Sequence, residues 1–216
     1  MLTKPLQTPG VRSVLVRRRG ARLERDLVVV EEPLEIRVDG QPLVVTMRTP
    51  GHDAELAAGF LFGEGVVSDA TGLSSIQVQP GNGQRETQIR VTNFLGDTVN
   101  VTLKEDAAKP RSAPAEREFR ATAACGVCGK TEIGDLDSDL PAIVPMEADP
   151  DLLETLPGAL RRAQKLFEAT GGIHAAGIFN RHGSLLCSYE DIGRHNAVDK
   201  AVGHFVLKNE LPLAEH

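Results

Sequence analysis

Apolar positions in the first third of the chain recur with the period of a β-strand. Val11 to Val16 and Leu27 to Val30 are β-branched runs that suit a pleated surface. Leu34, Ile36 and Val38 alternate with Glu35 and Arg37, which predicts a half-buried strand. Asp39-Gly40 and the run Leu43 to Met47 follow, so a hairpin is expected. The pattern then changes to a helical one. Leu56, Ala57, Phe60 and Leu61 share a face after Asp53, read as the N-cap, and Gly63 and Gly65 end the helix. Ile76 to Val78, Thr87 to Val91 and Val99 to Leu103 read as short strands between PGNG and LGD turns.

Residues 106–118 carry Pro110, Pro114 and mixed charge and read as a linker. A domain boundary is placed there, giving a β-rich part with one helix over 1–118 and a second part over 119–216. The Gly- and Asp-rich stretch ATAACGVCGKTEIGDLDSDLP has no period and is expected to be loop. From Asp151 to Ala169 the residues Leu152, Leu153, Leu156, Leu160, Ala163 and Phe167 mark a helix, with a kink or break expected at Pro157. Ala175 to Phe179 and Leu185 to Ser188 form a hairpin-like pair. The last helix, near Ile192 to Leu207, is expected to turn Ala197, Val198, Ala201, Val202 and Phe205 to one side.

Composition narrows the class. The 216 residues are 41% hydrophobic and 25% charged, which excludes a disordered chain or a fibre. No apolar run approaches the ~18 residues of a membrane span, and the N-terminus lacks a signal-peptide core, so no membrane association is expected. Three cysteines make no disulfide framework, which points to a cytoplasmic, reducing location. Residues 1–25 carry a net +6 and the rest −12 within the total of −6. A basic arm can dock an acidic partner or a nucleic acid, but arginines blunting a strand edge are the preferred reading, and with aromatics at 4% and no Trp a nucleic-acid partner is not expected.

The sharpest local feature is Cys125-Gly-Val-Cys128-Gly-Lys130. Two thiols at this spacing can form a redox disulfide, supply half a zinc site or carry a nucleophilic thiolate. Two inert buried thiols fit poorly, because the flanks are Gly and Ala rather than an apolar period. Only one such pair is present, so a metal site is not predicted; Cys187 reads as a structural strand residue. Three Gly-rich polar segments are further candidates: Arg48, Thr49, Gly51, His52 and Asp53; Thr170, Gly171, Gly172 and His174; and Glu190, Asp191, Gly193, Arg194, His195 and Asn196. Arg194 and His195 would stand in the first turn of a helix, where the dipole favours anions, so a bound phosphate is one explanation. Pairing of Arg194 with Glu190 or Asp191 is the structural alternative. His182, His204 and His216 are given no role.

RTPGHDAELAAGFLFGEG, ACGVCGK, TGGIHAAGIF and EDIGRHNAVDKAVG, in this order, resemble the formate dehydrogenase accessory sulfurtransferases, the FdhD family, over about residues 10 to 207. The resemblance implies a sulfurtransferase that takes persulfide sulfur from a cysteine desulfurase. It would pass the sulfur to the molybdenum cofactor in its bis-guanine-dinucleotide form, for formate dehydrogenase. It implies an α/β (α+β) fold, a β-rich N-terminal part beside a cytidine-deaminase-like α/β domain, assembled as a homodimer. Cys125 and Cys128 match the family's thiol pair, Cys125 being the expected persulfide carrier. Arg48, Thr49, Gly51, His52, Gly171, Gly172, His174, Asp191, Gly193, Arg194, His195 and Asn196 are the expected cofactor-binding set. Family members continue beyond the final helix, whereas this chain ends at LKNELPLAEH. The expectation is that the C-terminal part of the α/β layer is absent and that Val198, Val202 and Phe205 lack part of their cover. A cofactor-binding chaperone without catalysis, or a thiol-disulfide oxidoreductase, are the alternatives.

Overall fold

The computed structural model describes residues 10–17, 22–81, 96–105 and 149–213. The expected strand Thr87 to Val91, the linker, the boundary at 118 and the loop bearing Cys125 and Cys128 lie outside those residues.

Strands β1 (Val11–Arg17) and β2 (Leu23–Val29) pair antiparallel. Next come β3 (Glu32–Val38) and β4 (Gln41–Arg48), joined by the predicted two-residue turn. Asp39 and Gly40 both take positive φ, 49° and 77°, the combination that matches the twist of a hairpin. After helix α1 (Asp53–Gly63) come β5 (Leu73–Gln79) and β6 (Asp97–Leu103). β6 inserts parallel to β3, so the four-stranded sheet has the order β4-β3-β6-β5. Leu34, Ile36, Val99 and Val101 on that sheet and Leu56, Ala57 and Leu61 of α1 are buried together, forming one core.

Helices α2 (Pro150–Ala163) and α3 (Lys165–Thr170) precede the antiparallel pair β7 (His174–Phe179) and β8 (Leu185–Asp191), and α4 (Arg194–Lys208) follows. Mixed helices and strands agree with the α/β class read from the pattern. The long helix does break, but at Gln164 rather than Pro157, which stays inside α2. The reason is tertiary: the Glu190 carboxylate accepts the N–H groups of Leu166 and Phe167, both at 2.8 Å, and so caps a new helix there.

α1 and α4 pack directly on each other, joining the part of the chain before residue 118 to the part after it. Glycines set the spacing. A Cβ on Gly59 would stand 1.9 Å from the carbonyl oxygen of Asp199, and one on Gly203 would stand 1.8 Å from that of Glu55. The buried face of α4 is correspondingly rotated from the expected one. Asn196, Ala197, Lys200, Ala201, Gly203, Phe205 and Val206 are buried, whereas Val198 is 51% exposed. Phe205, at 4% exposure, is covered, contrary to the expectation that it lacks part of its cover.

Candidate functional site

Arg48 closes β4 and is completely buried. Its Nε and Nη2 each donate at 2.9 Å to the two oxygens of Asp53, a bidentate pair, and Nη2 also donates to Asp97. Burial opposes the guanidinium charge, yet the Asp53 and Asp97 carboxylates hold its pKa above the ordinary value. Burial likewise works against the Asp97 carboxylate, but the Gly81 N–H and Arg48 keep its pKa below the usual range. The expectation that Asp53 caps α1 is therefore corrected. Its carboxylate serves Arg48, Asp53 is the first helical residue, and His52 stands at the N-cap.

A second buried pair joins the two ends of the chain. Lys200 Nζ donates to Asp191 Oδ2 at 2.7 Å and to the Thr49 carbonyl at 2.9 Å. Asp191 accepts in addition from the N–H groups of Thr49 (3.1 Å) and Gly193 (2.8 Å) and from Asn196 Nδ2 (3.0 Å). The Thr49 hydroxyl accepts the Ile192 N–H, and Asn196 Nδ2 also donates to the Met47 carbonyl. A buried lysine and a buried aspartate persist only when paired and hydrogen-bonded throughout, and here they are. The register of β7 and β8 sets His174 opposite Asp191. The three Gly-rich segments, far apart in sequence, thus meet around Asp191.

Within this junction the expected residues fall into two groups. Arg48, Thr49, Asp191 and Asn196 are buried; Arg48 donates to Asp53 and Asp97, while Thr49, Asp191 and Asn196 bond one another, Lys200 or neighbouring backbone. His52, Gly171, Gly172, His174 and Arg194 are exposed, and Gly51, Gly193 and His195 are half-buried. The alternative for Arg194 does not hold among the described residues, since Glu190 caps α3 and Asp191 binds Lys200. α4 starts at Gly193 with no side-chain cap. Cys125 and Cys128 lie outside the described residues. Cys187 is half-buried with Sγ directed at the Ala201 carbonyl, and burial pushes its pKa up, which suits a structural thiol and not a reactive one.

Sequence reasoning missed Lys200. The available signal was a lysine one position before Ala201 and three after Ala197, on a stripe of small residues. It also gave His204 no role, yet the Tyr189 hydroxyl and His204 Nδ1 are 2.9 Å apart, and the His52 ring meets Tyr189 edge-on at 4.8 Å.

The described residues hold no group of three or more His, Cys, Asp or Glu arranged for a metal ion, and no helix among them is long and apolar enough to cross a membrane. What remains is a mixed α/β protein whose polar chemistry gathers where three loop segments meet a buried lysine-aspartate pair. Residues 29–215 match the FdhD/NarQ family, and the chain belongs to it. It is 42% identical over 224 aligned positions to the sulfur carrier protein FdhD of Corynebacterium efficiens, covering 99% of this chain and 76% of that protein. Against the sulfur carrier protein FdhD of Streptomyces avermitilis the identity is 40%, over 94% of this chain and 71% of the relative. A crystal structure of a candidate formate dehydrogenase accessory protein from Desulfotalea psychrophila superposes with a TM-score of 0.63 at 22% identity, covering 92% of this chain and 69% of that one. That likeness concerns the fold.

Proposed function

We propose that this chain is a sulfur carrier that serves formate dehydrogenase. The observation that carries the reading is the 40–42% identity to proteins named as sulfur carriers, along nearly the whole chain. In this reading Cys125 is the carrier and Cys128 assists it. The Cys125 thiolate attacks the terminal sulfur of a persulfide on a cysteine desulfurase, and the donor cysteine leaves as thiolate. The sulfur then passes to the molybdenum bis-guanine-dinucleotide cofactor, which is substrate here. The protein acts as a cytoplasmic homodimer.

The exposed part of the three-segment junction supports a place for the cofactor's phosphates. Arg194 and His195 begin a 15-residue helix with no side-chain cap, so unpaired N–H groups and positive charge coincide there. His174 adjoins it through the β7–β8 register, and Gly171 and Gly172 lie just before His174 in the chain. Thr49, Asp191 and Asn196 contribute by holding those segments together, and Arg48 by fixing the first of them to Asp53 and Asp97.

Mass spectrometry after incubation with a desulfurase and cysteine tests the relay. One added sulfur on the wild type, lost in Cys125→Ala and kept in Cys187→Ala, is the expected result. No added sulfur with cofactor binding retained would instead mean a cofactor-binding chaperone. For the phosphate site, Arg194→Ala should weaken a guanosine diphosphate probe by about 1–3 kcal/mol in calorimetry, as for loss of one charge-assisted contact. Equal affinities would restrict Arg194 to the helix surface.

A further inference from the structure

The β1–β2 ribbon is a sheet of its own, and among the described elements it packs mainly on α3, through β2. Its register sets Leu15 opposite Arg25 and Arg17 opposite Leu23. Residues opposite each other, and those two apart along a strand, share a face, so these four make a checkerboard of two leucines and two arginines. All four are exposed, Leu15 at 65% and Leu23 at 55%. Arginines alone would blunt the edges of the ribbon. Two leucines set between them need a different reason.

A complementary patch stands on α2. Leu152, Leu156 and Leu160 turn toward β7 and β8, where they meet the positions of Gly183 and Gly177. Leu153 instead is 50% exposed, and Asp149, Asp151 and Glu154 around it are exposed as well. From residue 149 to residue 157 the chain holds those three carboxylates and no lysine or arginine. An apolar side chain rimmed by negative charge answers apolar side chains rimmed by positive charge. Both patches are open in the single chain, so they do not cover each other within it. The same division runs through the whole sequence, with +6 over residues 1–25 and −12 over the remainder.

We propose that the β1–β2 ribbon docks on the first two turns of α2 in a second copy of this chain, Leu15 and Leu23 meeting Leu153 while Arg17 and Arg25 face Asp151 and Glu154. Each copy carries both patches, so a two-fold axis makes the contact twice. The inference rests on the homodimer of the sulfur-carrier reading and gives it its surfaces. It also places the partner beside the three-segment junction. Gly10, directly before β1, packs so closely on Thr49 that a Cβ there would stand 2.7 Å from the Thr49 methyl. The ribbon therefore rises from the junction itself.

An exchange of charges tests the contact in the full chain. Arg17→Glu with Arg25→Glu makes the ribbon acidic, and Asp151→Lys with Glu154→Lys makes the start of α2 basic. In analytical ultracentrifugation each double variant alone should self-associate at least about 10²-fold more weakly than the parent, because like charges then oppose each other in both contacts. An equimolar mixture of the two should recover the parental affinity to within about tenfold, since both contacts of the mixed pair again join opposite charges. The parental dimer should weaken as salt rises from about 0.1 to 0.5 M. All four positions are at the surface, and circular dichroism should show both variants folded. A variant that dimerises like the parent, or a mixture of folded variants that stays monomeric, overturns the inference and leaves the homodimer on a different surface. A monomeric parent overturns the inference and the homodimer together, and its sulfur loading, measured separately, decides the carrier reading.

Discussion

Gly59 of α1 and Asp199 of α4 meet backbone to backbone, and the space for a side chain at Gly59 is filled by the Asp199 carbonyl. The same closeness recurs at Gly203 against Glu55, so two glycines let helices from opposite ends of the chain lie in direct contact. Helical glycines lower intrinsic helix stability, and here each one is explained by that approach.

Gly59→Ala should therefore destabilise the protein despite the better helix propensity of Ala. The added methyl forces the helices apart, at about 1–3 kcal/mol or more, as for overpacking in a core. Urea midpoints of parent and variant check it. An unchanged or raised midpoint would show that α4 moves aside freely.

Lys200→Met removes the charge that compensates Asp191 inside the protein. Breaking one side of a buried pair generally costs about 3–5 kcal/mol, because the other charge stays behind. Adding Asp191→Asn should recover part of the loss. Denaturant unfolding of both single variants and the double variant measures the coupling directly.

Asp199 gives stability a pH dependence. Burial first, then the neighbouring Glu64 and Asp191 carboxylates, push its pKa from 3.8 to about 7. Between those values the folded chain keeps a proton that the unfolded chain releases, so the unfolded state binds fewer protons and stability falls as pH rises. The contribution is complete below about pH 4 and gone above about pH 7. Asp199→Asn should remove that slope and leave the variant the more stable protein at pH 8, read from urea midpoints across the pH range.

Tyr189 is the only tyrosine and there is no Trp, so its phenolate absorbance can be read without interference. Burial and the facing Glu55 carboxylate push its pKa from 10 up to about 12. A spectrophotometric titration of the folded protein should place the midpoint near that value. Glu55→Gln, by removing one of the charges that oppose the phenolate, should bring it down. A midpoint at the ordinary 10 would mean that Tyr189 is solvated rather than seated between His52 and His204.

Local pattern was enough for the elements. The Asp39-Gly40 turn, the helix after Gly51-His52 and the β7–β8 pair were legible because alternation, helical period and turn chemistry are properties of neighbouring residues. The three Gly-rich segments could also be singled out one by one, since each breaks the apolar pattern beside a helix end. Their meeting around Asp191 could not be read, because Thr49 and Asp191 are 142 positions apart.

The chain by itself determined where most of the described strands and helices lie, which family pattern it carries and which thiols stand on an aperiodic stretch. Tertiary structure decided which polar groups are buried and whom they serve. Asp53 looks like a cap until Arg48, folded against it and Asp97, takes its carboxylate. The break at Gln164 depends on Glu190 reaching across from β8. α4 buries Lys200 instead of Val198 because Asp191 carries the opposite charge inside and the Thr49 carbonyl, 151 positions away, accepts a second hydrogen bond, an arrangement invisible to periodicity.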